Sequence, residues 1–408
     1  MNELHAIERH ISEDRYWLSP YDFKPEVMAM RRQPSKVLIH DATLRDGEQT
    51  PGVVFRKADK VRIAQALDAV GVDRIEAGMP AVSAEDYEAI EEIIALKLKA
   101  KVFTFARAMK EDVDKAVSCG ADGVVIEVPI GYPKLVHQFG WTWEDVVRKS
   151  APIINYAKSK GLHALFFPYD TTRAREEDLD YMLEAIMRES APDSIGLVDT
   201  MGCATPEAIV YLTRKFIDIT GLPLEIHTHN DFGMAVATEL AAVGAGASVV
   251  HSCVNGLGER TGNAALEELI LGLDLLYGAN TGCNLDAITP LSALVSELSG
   301  VLIAQNKPVV GEGNYTRESG IGANLVVEQP LAMFATHPAL TGRAGKVVLG
   351  KKSGKPSITY KLKELGLGEL DDDKTSAVLA EVKRLGNEKR GLLTDAEFAA
   401  IVMNIGRT

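Results

Sequence analysis

The hydrophobic and polar positions of the chain follow two alternating patterns over residues 37–277. Short apolar runs, typical of buried strands, are separated by longer amphipathic stretches that are typical of helices. Eight such runs occur, and they are VLIHD (37–41), RIEAG (74–78), KVFTF (101–105), GVVIEV (123–128), HALFF (163–167), SIGLVD (194–199), LEIHTH (224–229) and SVVHSCV (248–254). The pattern therefore predicts eight βα units.

Eight alternating units over about 240 residues match a (β/α)8 TIM barrel in number and size. Ser83 and Thr205 are expected to start helices, and Gly71 and Gly221 to end them. A doubly wound open sheet is the competing interpretation. It is disfavoured because the GxGxxG sequence that often follows the first strand of such a sheet is missing.

The pattern changes near residue 280. A segment rich in glycine and polar residues, NKPVVGEGNYTRESGIGANLV, covers 306–326, and an acidic link, DDDK, covers 371–374. Helix-like stretches surround both. We therefore expect three parts, which are an N-terminal extension (1–35), the TIM barrel (36–280) and a C-terminal linker with a mostly helical accessory region (281–408).

Composition narrows the classes of partner. The 408-residue chain is 46% hydrophobic and 25% charged, as ordinary globular proteins are. Its formal net charge of -13 argues against nucleic-acid binding, so an anionic substrate would need local Arg, Lys or metal. The four cysteines are scattered, no apolar run reaches membrane-spanning length, and residues 1–20 are mixed and charged. We expect a cytoplasmic protein without a membrane partner.

Two histidines, His227 and His229, stand one residue apart at the end of the seventh predicted strand. Such a pair alone is typical of a half-buried strand, but both imidazoles face the same side. Asp46 follows the first strand and Asn263 follows the eighth, and these strands are neighbours in a closed barrel. The four side chains would converge and leave positions open for substrate. Two nitrogen and two oxygen ligands suit Mn2+, Mg2+ or Zn2+.

Four further motifs extend the pattern over residues 36–400. The chain reads LRDGEQTPGVVF, HTHNDFGMAVA, GLGERTGNAALEE and VLGKKSG, in this order. Together they resemble the isopropylmalate synthase and homocitrate synthase family of the DRE-TIM metallolyase superfamily. The resemblance implies a divalent metal (Mn2+, Mg2+ or Zn2+) and acetyl-CoA or a related acyl-CoA. It also implies Claisen condensation with a 2-oxo acid, release of CoA, and a homodimer with exchanged C-terminal regions.

The resemblance also implies roles for single residues. Asp46, His227, His229 and Asn263 resemble the metal ligands. Arg45 resembles the arginine that polarises the 2-oxo group, and it could also pair with Glu76 or Glu127. The remaining candidates for catalysis or substrate binding are Thr200, which resembles a carboxylate-binding threonine, Glu76, Tyr169, Lys134 and Gln49.

Three positions depart from the family pattern. Gly322 stands where the family has a histidine base, Tyr169 where it has a glutamate, and Lys134 near where it has a histidine. We interpret these departures as a sign of a different substrate or direction of reaction. The alternatives are a C–C lyase similar to HMG-CoA lyase, whose cysteine after strand eight is missing here, and a non-catalytic metal-binding or ligand-binding relative.

Overall fold

The computed structural model describes residues 9–406, and within them eight parallel strands close into a barrel. The strands are β1 (Leu38–Asp41), β2 (Arg74–Glu76), β3 (Lys101–Arg107), β4 (Gly123–Pro129), β5 (His163–Tyr169), β6 (Ser194–Asp199), β7 (Leu224–Thr228) and β8 (Val249–Ser252). Each strand pairs with its neighbour in sequence, and β8 pairs with β1. The predicted (β/α)8 barrel is confirmed, and the open sheet is wrong.

Helices follow the strands as the amphipathic stretches predict. The barrel helices are Lys57–Val70, Ala84–Ala95, Lys110–Cys119, Trp143–Ser159, Glu176–Glu189, Pro206–Thr220, Ala235–Ala245 and Leu266–Leu271. Shorter helical turns cover Pro25–Met28 and Tyr132–Lys134, and Ile288–Ser299 follows the barrel. The predicted helix starts are confirmed, since the side chains of Ser83 and Thr205 accept backbone amides of the first turn. Gly71 and Gly221 end their helices with left-handed φ angles of +95° and +64°.

The barrel contains an apolar cluster and several buried polar side chains. Its apolar cluster consists of Phe103, Phe105, Val125, Leu165, Phe167 and Val198. Charged and polar side chains on β1, β2, β7 and β8, among them His40, Glu76, Glu225 and His251, are also fully or almost fully buried. Because buried charges must be paired or must bind ions, these groups are candidates for a functional site.

The described residues divide into two units. One is Tyr21–Leu302, and the other combines the described residues before Tyr21 with those from Ile303 onward. The predicted boundaries near residues 35 and 280 stay predictions. No helix within residues 9–406 is long and apolar enough to span a membrane.

Helices provide most of the regular structure of the second unit, in agreement with the helical accessory region that the sequence predicts within 281–408. Its helices are Leu325–Glu328, Lys355–Glu364, Asp372–Lys389 and Asp395–Gly406, and its short strands are Ile11–Ser12, Tyr16–Trp17, Thr316–Arg317 and Lys346–Val347. Ile358, Val378, Val382 and Phe398 are fully buried in its core.

Candidate active site

The four predicted metal ligands lie together at the C-terminal ends of β1, β7 and β8. His227 belongs to β7, and His229 follows directly and forms an isolated bridge with Asn263 in the loop after β8. The Nε2 atoms of His227 and His229 lie 3.1 Å and 3.6 Å from Oδ2 of Asp46. All four side chains are buried. The structure therefore brings together residues that are up to 217 positions apart in the chain.

Several donor atoms of this cluster are left without a partner. Oδ1 of Asp46, Nδ1 of His229 and Oδ1 of Asn263 are buried and make no hydrogen bond to any described residue. The amide nitrogen of Asn263 donates to the carbonyl of Leu257 at 3.0 Å, which leaves the amide oxygen free. Carboxylate, amide and imidazole groups are the ligands that divalent ions use, so the residues present fit such an ion.

The protonation states also suit a metal. Burial opposes ionisation of Asp46, but Arg45 and the two histidines hold the pKa of its carboxyl well below the usual range. Burial lowers the pKa of His229 to about 4 and also lowers that of His227. An ionised carboxylate and neutral imidazoles are the forms that bind metal, so ligation needs no loss of protons near neutral pH.

The glycines of GLGERTGN shape the loop that carries Asn263. Gly258 has a φ of +143°, and a Cβ there would lie 2.1 Å from Nδ2 of Asn263. Gly262 has a φ of +82°, and a Cβ there would lie 1.8 Å from the carbonyl oxygen of Gly256. Both positions therefore require glycine, because any larger residue would displace the ligand.

Arg45 is held beside the cluster by contacts with three residues. Its Nε and Nη2 donate to the two oxygens of Glu76 at 2.7 Å and 3.3 Å. Its Nη1 lies 3.2 Å from Oδ2 of Asp46, and the guanidinium carbon lies 4.4 Å from the ring centroid of Phe105. The pairing of Arg45 with Glu76 that the sequence suggested is thus observed. Such a bidentate arrangement fixes the plane of the guanidinium.

Thr200 lies at the end of β6, where two loops meet. Its Oγ1 accepts the backbone amide of Asp170 at 2.7 Å, so its hydroxyl proton is free to donate. Arg260 donates to the carbonyl of Thr200 and, at 2.9 Å, to Asp231. Sequence reasoning overlooked Arg260, although a charged residue inside a glycine-rich loop at a strand end is a usable signal.

The other predicted site residues lie around this centre. Tyr169 ends β5 and packs against the apolar barrel cluster, and burial and nearby Glu127 raise the pKa of its phenol, which stays neutral. Gln49 lines a cavity of about 470 Å³ together with Arg45 and Phe105. Lys134 ends the Tyr132–Lys134 turn after β4, and the structure gives its ammonium group no ion pair among residues 9–406.

A second buried cluster of His40, Glu225 and His251 lies in the same barrel. The rings of His40 and His251 are stacked with centroids 4.2 Å apart and planes 3° apart. Glu225 accepts from Nε2 of His251 at 3.0 Å and from Arg74 at 2.8 Å. Sequence reasoning overlooked this cluster, whose signal is a titratable residue that directly follows an apolar residue in each of three predicted strands.

Sequence comparisons relate the chain to known protein families. The HMGL-like family matches residues 36–295, and the homocitrate synthase post-HMGL domain-like family matches residues 309–390. The homocitrate synthase AksA of Methanopyrus kandleri is 40% identical over 372 residues, which cover 91% of this chain and 93% of that protein. The 2-isopropylmalate synthase of Methanocaldococcus jannaschii is 38% identical over 377 residues, which cover 91% of this chain and 72% of that protein.

Solved structures share the fold at lower identity. The HMG-CoA lyase of Bacillus subtilis has a TM-score of 0.60 at 18% identity and covers 66% of this chain and 95% of its own. The carboxyl transferase domain of Rhizobium etli pyruvate carboxylase has a TM-score of 0.55 at 18% identity and covers 86% of this chain and 56% of its own.

Because the family model and the sequence relatives cover most of it, the chain belongs to the HMGL-like family, in which its relatives include homocitrate and 2-isopropylmalate synthases.

Proposed function

We propose that this protein is a metal-dependent acyltransferase that condenses acetyl-CoA, or a related acyl-CoA, with a 2-oxo acid. The products of this Claisen reaction are CoA and a 2-hydroxy-dicarboxylic or tricarboxylic acid. One observation carries the proposal: Asp46, His227 and His229 are buried with their ligand atoms within 4.8 Å of one another, beside a fixed Arg45 at the C-terminal end of a barrel. This is the end at which TIM barrels place their chemistry.

The metal ligands and Arg45 have different roles at the 2-oxo group of the substrate. A divalent ion held by Asp46, His227, His229 and Asn263 supplies Lewis-acid polarisation of the 2-oxo group when it is bound. The Arg45 guanidinium keeps N–H groups beyond those that contact Glu76 and Asp46, and these can donate to the oxygen that becomes negative during condensation. The Glu76 pair keeps this donor from rotating away.

The remaining residues position the substrates. We assign Thr200 to the carboxylate of the 2-oxo acid, since the acceptor role of its hydroxyl is already used and the donor role is free. Lys134 offers a cation without an ion pair in residues 9–406. Tyr169 offers a neutral phenol as a hydrogen-bond donor. The cavity beside Gln49 and Arg45, with its apolar wall, suits the substituent of the 2-oxo acid.

The test is release of free thiol from acetyl-CoA in the presence of Mn2+ or Mg2+. The 2-oxo acids to be compared are glyoxylate, pyruvate, oxaloacetate, 2-oxoisovalerate and 2-oxoglutarate. We expect thiol release with at least one acid, its loss in Asp46→Ala, and full activity in Glu177→Ala, an exposed carboxylate used as the control. No release with any acid, by a protein that still binds metal, would contradict the proposal.

A homodimer with exchanged C-terminal regions is the quaternary arrangement that we propose. Light scattering after size-exclusion chromatography checks it, since a dimer has twice the mass of the 44.1 kDa chain. A monomeric mass under assay conditions with full thiol release would exclude an obligatory dimer.

A further inference from the structure

The condensation proposed above needs a group that takes up a proton from the carbon next to the thioester. The accessory region offers no side chain at position 322, because Gly322 is a glycine with a φ of +70°. His337 uses its Nδ1 to accept the amide of Ala339 at 3.1 Å. The barrel carboxylates around Arg45 are therefore the candidates to compare.

Two of these carboxylates are already engaged. Asp46 faces Arg45 and both imidazoles with the same oxygen. Glu76 accepts from Arg45 with both of its oxygens. Burial opposes ionisation of Glu76, but Arg45 and His40 lower its pKa to about 2. A carboxylate that is this strongly held is a poor proton acceptor.

Glu127 is the third carboxylate, and it is not engaged. It lies two residues after Val125 on β4, so it points to the same side as this member of the apolar barrel cluster. Unlike Val125, it is partly exposed. Among residues 9–406 it makes no hydrogen bond and no ion pair. Glu127 thus presents, on the interior side of the barrel, a carboxylate that has no hydrogen bond or ion pair within the described residues.

Burial and neighbouring charges bring the pKa of Glu127 close to neutrality, which suits acid–base catalysis. Burial raises the pKa of Glu127 to about 7, Arg45 opposes this increase, and Asp46, Glu76 and Glu259 add to it. The same carboxylate influences Tyr169, which ends the neighbouring strand β5. A pKa near neutrality allows a group both to accept a proton and to return it within a catalytic cycle.

We propose that the Glu127 carboxylate is the proton acceptor of the condensation. The C–H bond of the acyl group breaks, and its proton moves to an oxygen of Glu127. The electron pair forms the new C–C bond to the carbonyl carbon of the 2-oxo acid, whose π electrons move to oxygen. That oxygen receives the proton back from Glu127, directly or through solvent, and water then hydrolyses the thioester. Atoms and charges balance without another reactant.

The experiment compares Glu127→Gln, Glu127→Asp and the control Glu144→Gln, an exposed residue of the Trp143–Ser159 helix. Assays use the 2-oxo acid that the wild type accepts, with acetyl-CoA carrying either a normal or a trideuterated methyl group. Glu127→Gln should lower kcat by about 100- to 10,000-fold, the usual worth of a general base, without changing metal content or the KM of the 2-oxo acid. Glu127→Asp should keep part of the rate and show a larger deuterium effect, and Glu144→Gln should behave as the wild type.

The outcomes separate this role from the proposed function. A wild type that releases no CoA with any acid overturns the proposed function and this role with it. If the wild type is active and Glu127→Gln has the same kcat, only the role of Glu127 is overturned. A decrease in the kcat of Glu127→Gln that coincides with loss of metal also overturns that role. If Glu127→Gln does not fold, as judged by circular dichroism, an unchanged rate and deuterium effect in Glu127→Asp overturns the role.

Discussion

Two clusters of one carboxylate and two histidines lie in the same barrel, and they differ in what their atoms face. In the upper cluster (Asp46, His227 and His229), Nε2 of both histidines points at one oxygen of Asp46, while its other oxygen makes no hydrogen bond within residues 9–406. In the lower cluster (His40, Glu225 and His251), Glu225 accepts from His251 and from Arg74. Buried ring nitrogens without a hydrogen bond occur in both clusters, so the difference lies in the carboxylates: Asp46 keeps one oxygen without a partner among the described residues, whereas both oxygens of Glu225 are engaged.

Ring geometry strengthens the distinction. The rings of His227 and His229 are 76° apart in plane, so their lone pairs can meet at one point. The rings of His40 and His251 are stacked within 3° of parallel, so their lone pairs lie in nearly parallel planes and do not converge. The type of the ligand residues and their proximity therefore do not make a metal site by themselves. The lone pairs must also point to one place, and a carboxylate oxygen must be available to the ion.

The largest expected effect comes from breaking the upper cluster. His227→Ala should lower thiol release by about 1,000-fold or more, because a Lewis acid is worth several kcal/mol of transition-state stabilisation. His251→Ala, the matched change in the lower cluster, should keep thiol release in the fraction that folds. Equal losses in the two folded variants would mean that the clusters do not differ in function.

Breaking the lower cluster should affect stability instead. Glu225→Gln leaves the Arg74 guanidinium, which is 11% exposed, without its carboxylate. Removing one partner of a buried pair costs about 3–5 kcal/mol, so urea unfolding should show a decrease of that order in the free energy of unfolding. An unchanged free energy of unfolding would show that the network contributes nothing to the fold.

A smaller effect is expected at the link between Arg45 and the metal ligands. Glu76→Gln removes the negative charge that orients Arg45, so kcat/KM for the 2-oxo acid should fall by about 10- to 100-fold, as with other supporting groups of metal sites. Metal content, measured on the same sample, should stay that of the wild type. A wild-type kcat/KM would show that Arg45 keeps its orientation without this partner.

The smallest effect concerns pH. Burial and His40 lower the pKa of His251 to about 4, whereas an unfolded histidine titrates at about 6.5. Between these values the unfolded state binds more protons, so stability falls as the pH drops from about 6.5 to about 4. In metal-free protein, the free energy of unfolding of His251→Gln should therefore decrease less steeply with falling pH than that of the wild type. The two slopes should differ by at most about 1.4 kcal/mol per pH unit. Parallel declines would exclude His251 as a source of acid sensitivity.

The sequence predicted the barrel and the ligand set for the same reason. Strand alternation and the order of the strands determine which side chains reach the C-terminal end, so Asp46, His227, His229 and Asn263 could be placed without coordinates. The helix ends were predictable because a capping hydroxyl and a left-handed glycine act locally.

The state of the glutamates could not be predicted. Glu76 and Glu127 are both strand-end glutamates in the sequence, and either could have paired with Arg45. Which glutamate pairs with Arg45 depends on the strand that the guanidinium reaches. In the structure, Arg45 forms the bidentate pair with Glu76. The lower cluster was overlooked for a related reason, because His40, Glu225 and His251 become neighbours only when the barrel closes.

The most direct test of the difference between the clusters is the metal content per chain, measured by plasma mass spectrometry after saturation and desalting. We expect one divalent ion in the wild type, none in Asp46→Ala and one in Glu225→Gln. Metal retained by Asp46→Ala and lost by Glu225→Gln would place the metal in the lower cluster and contradict the proposed active site.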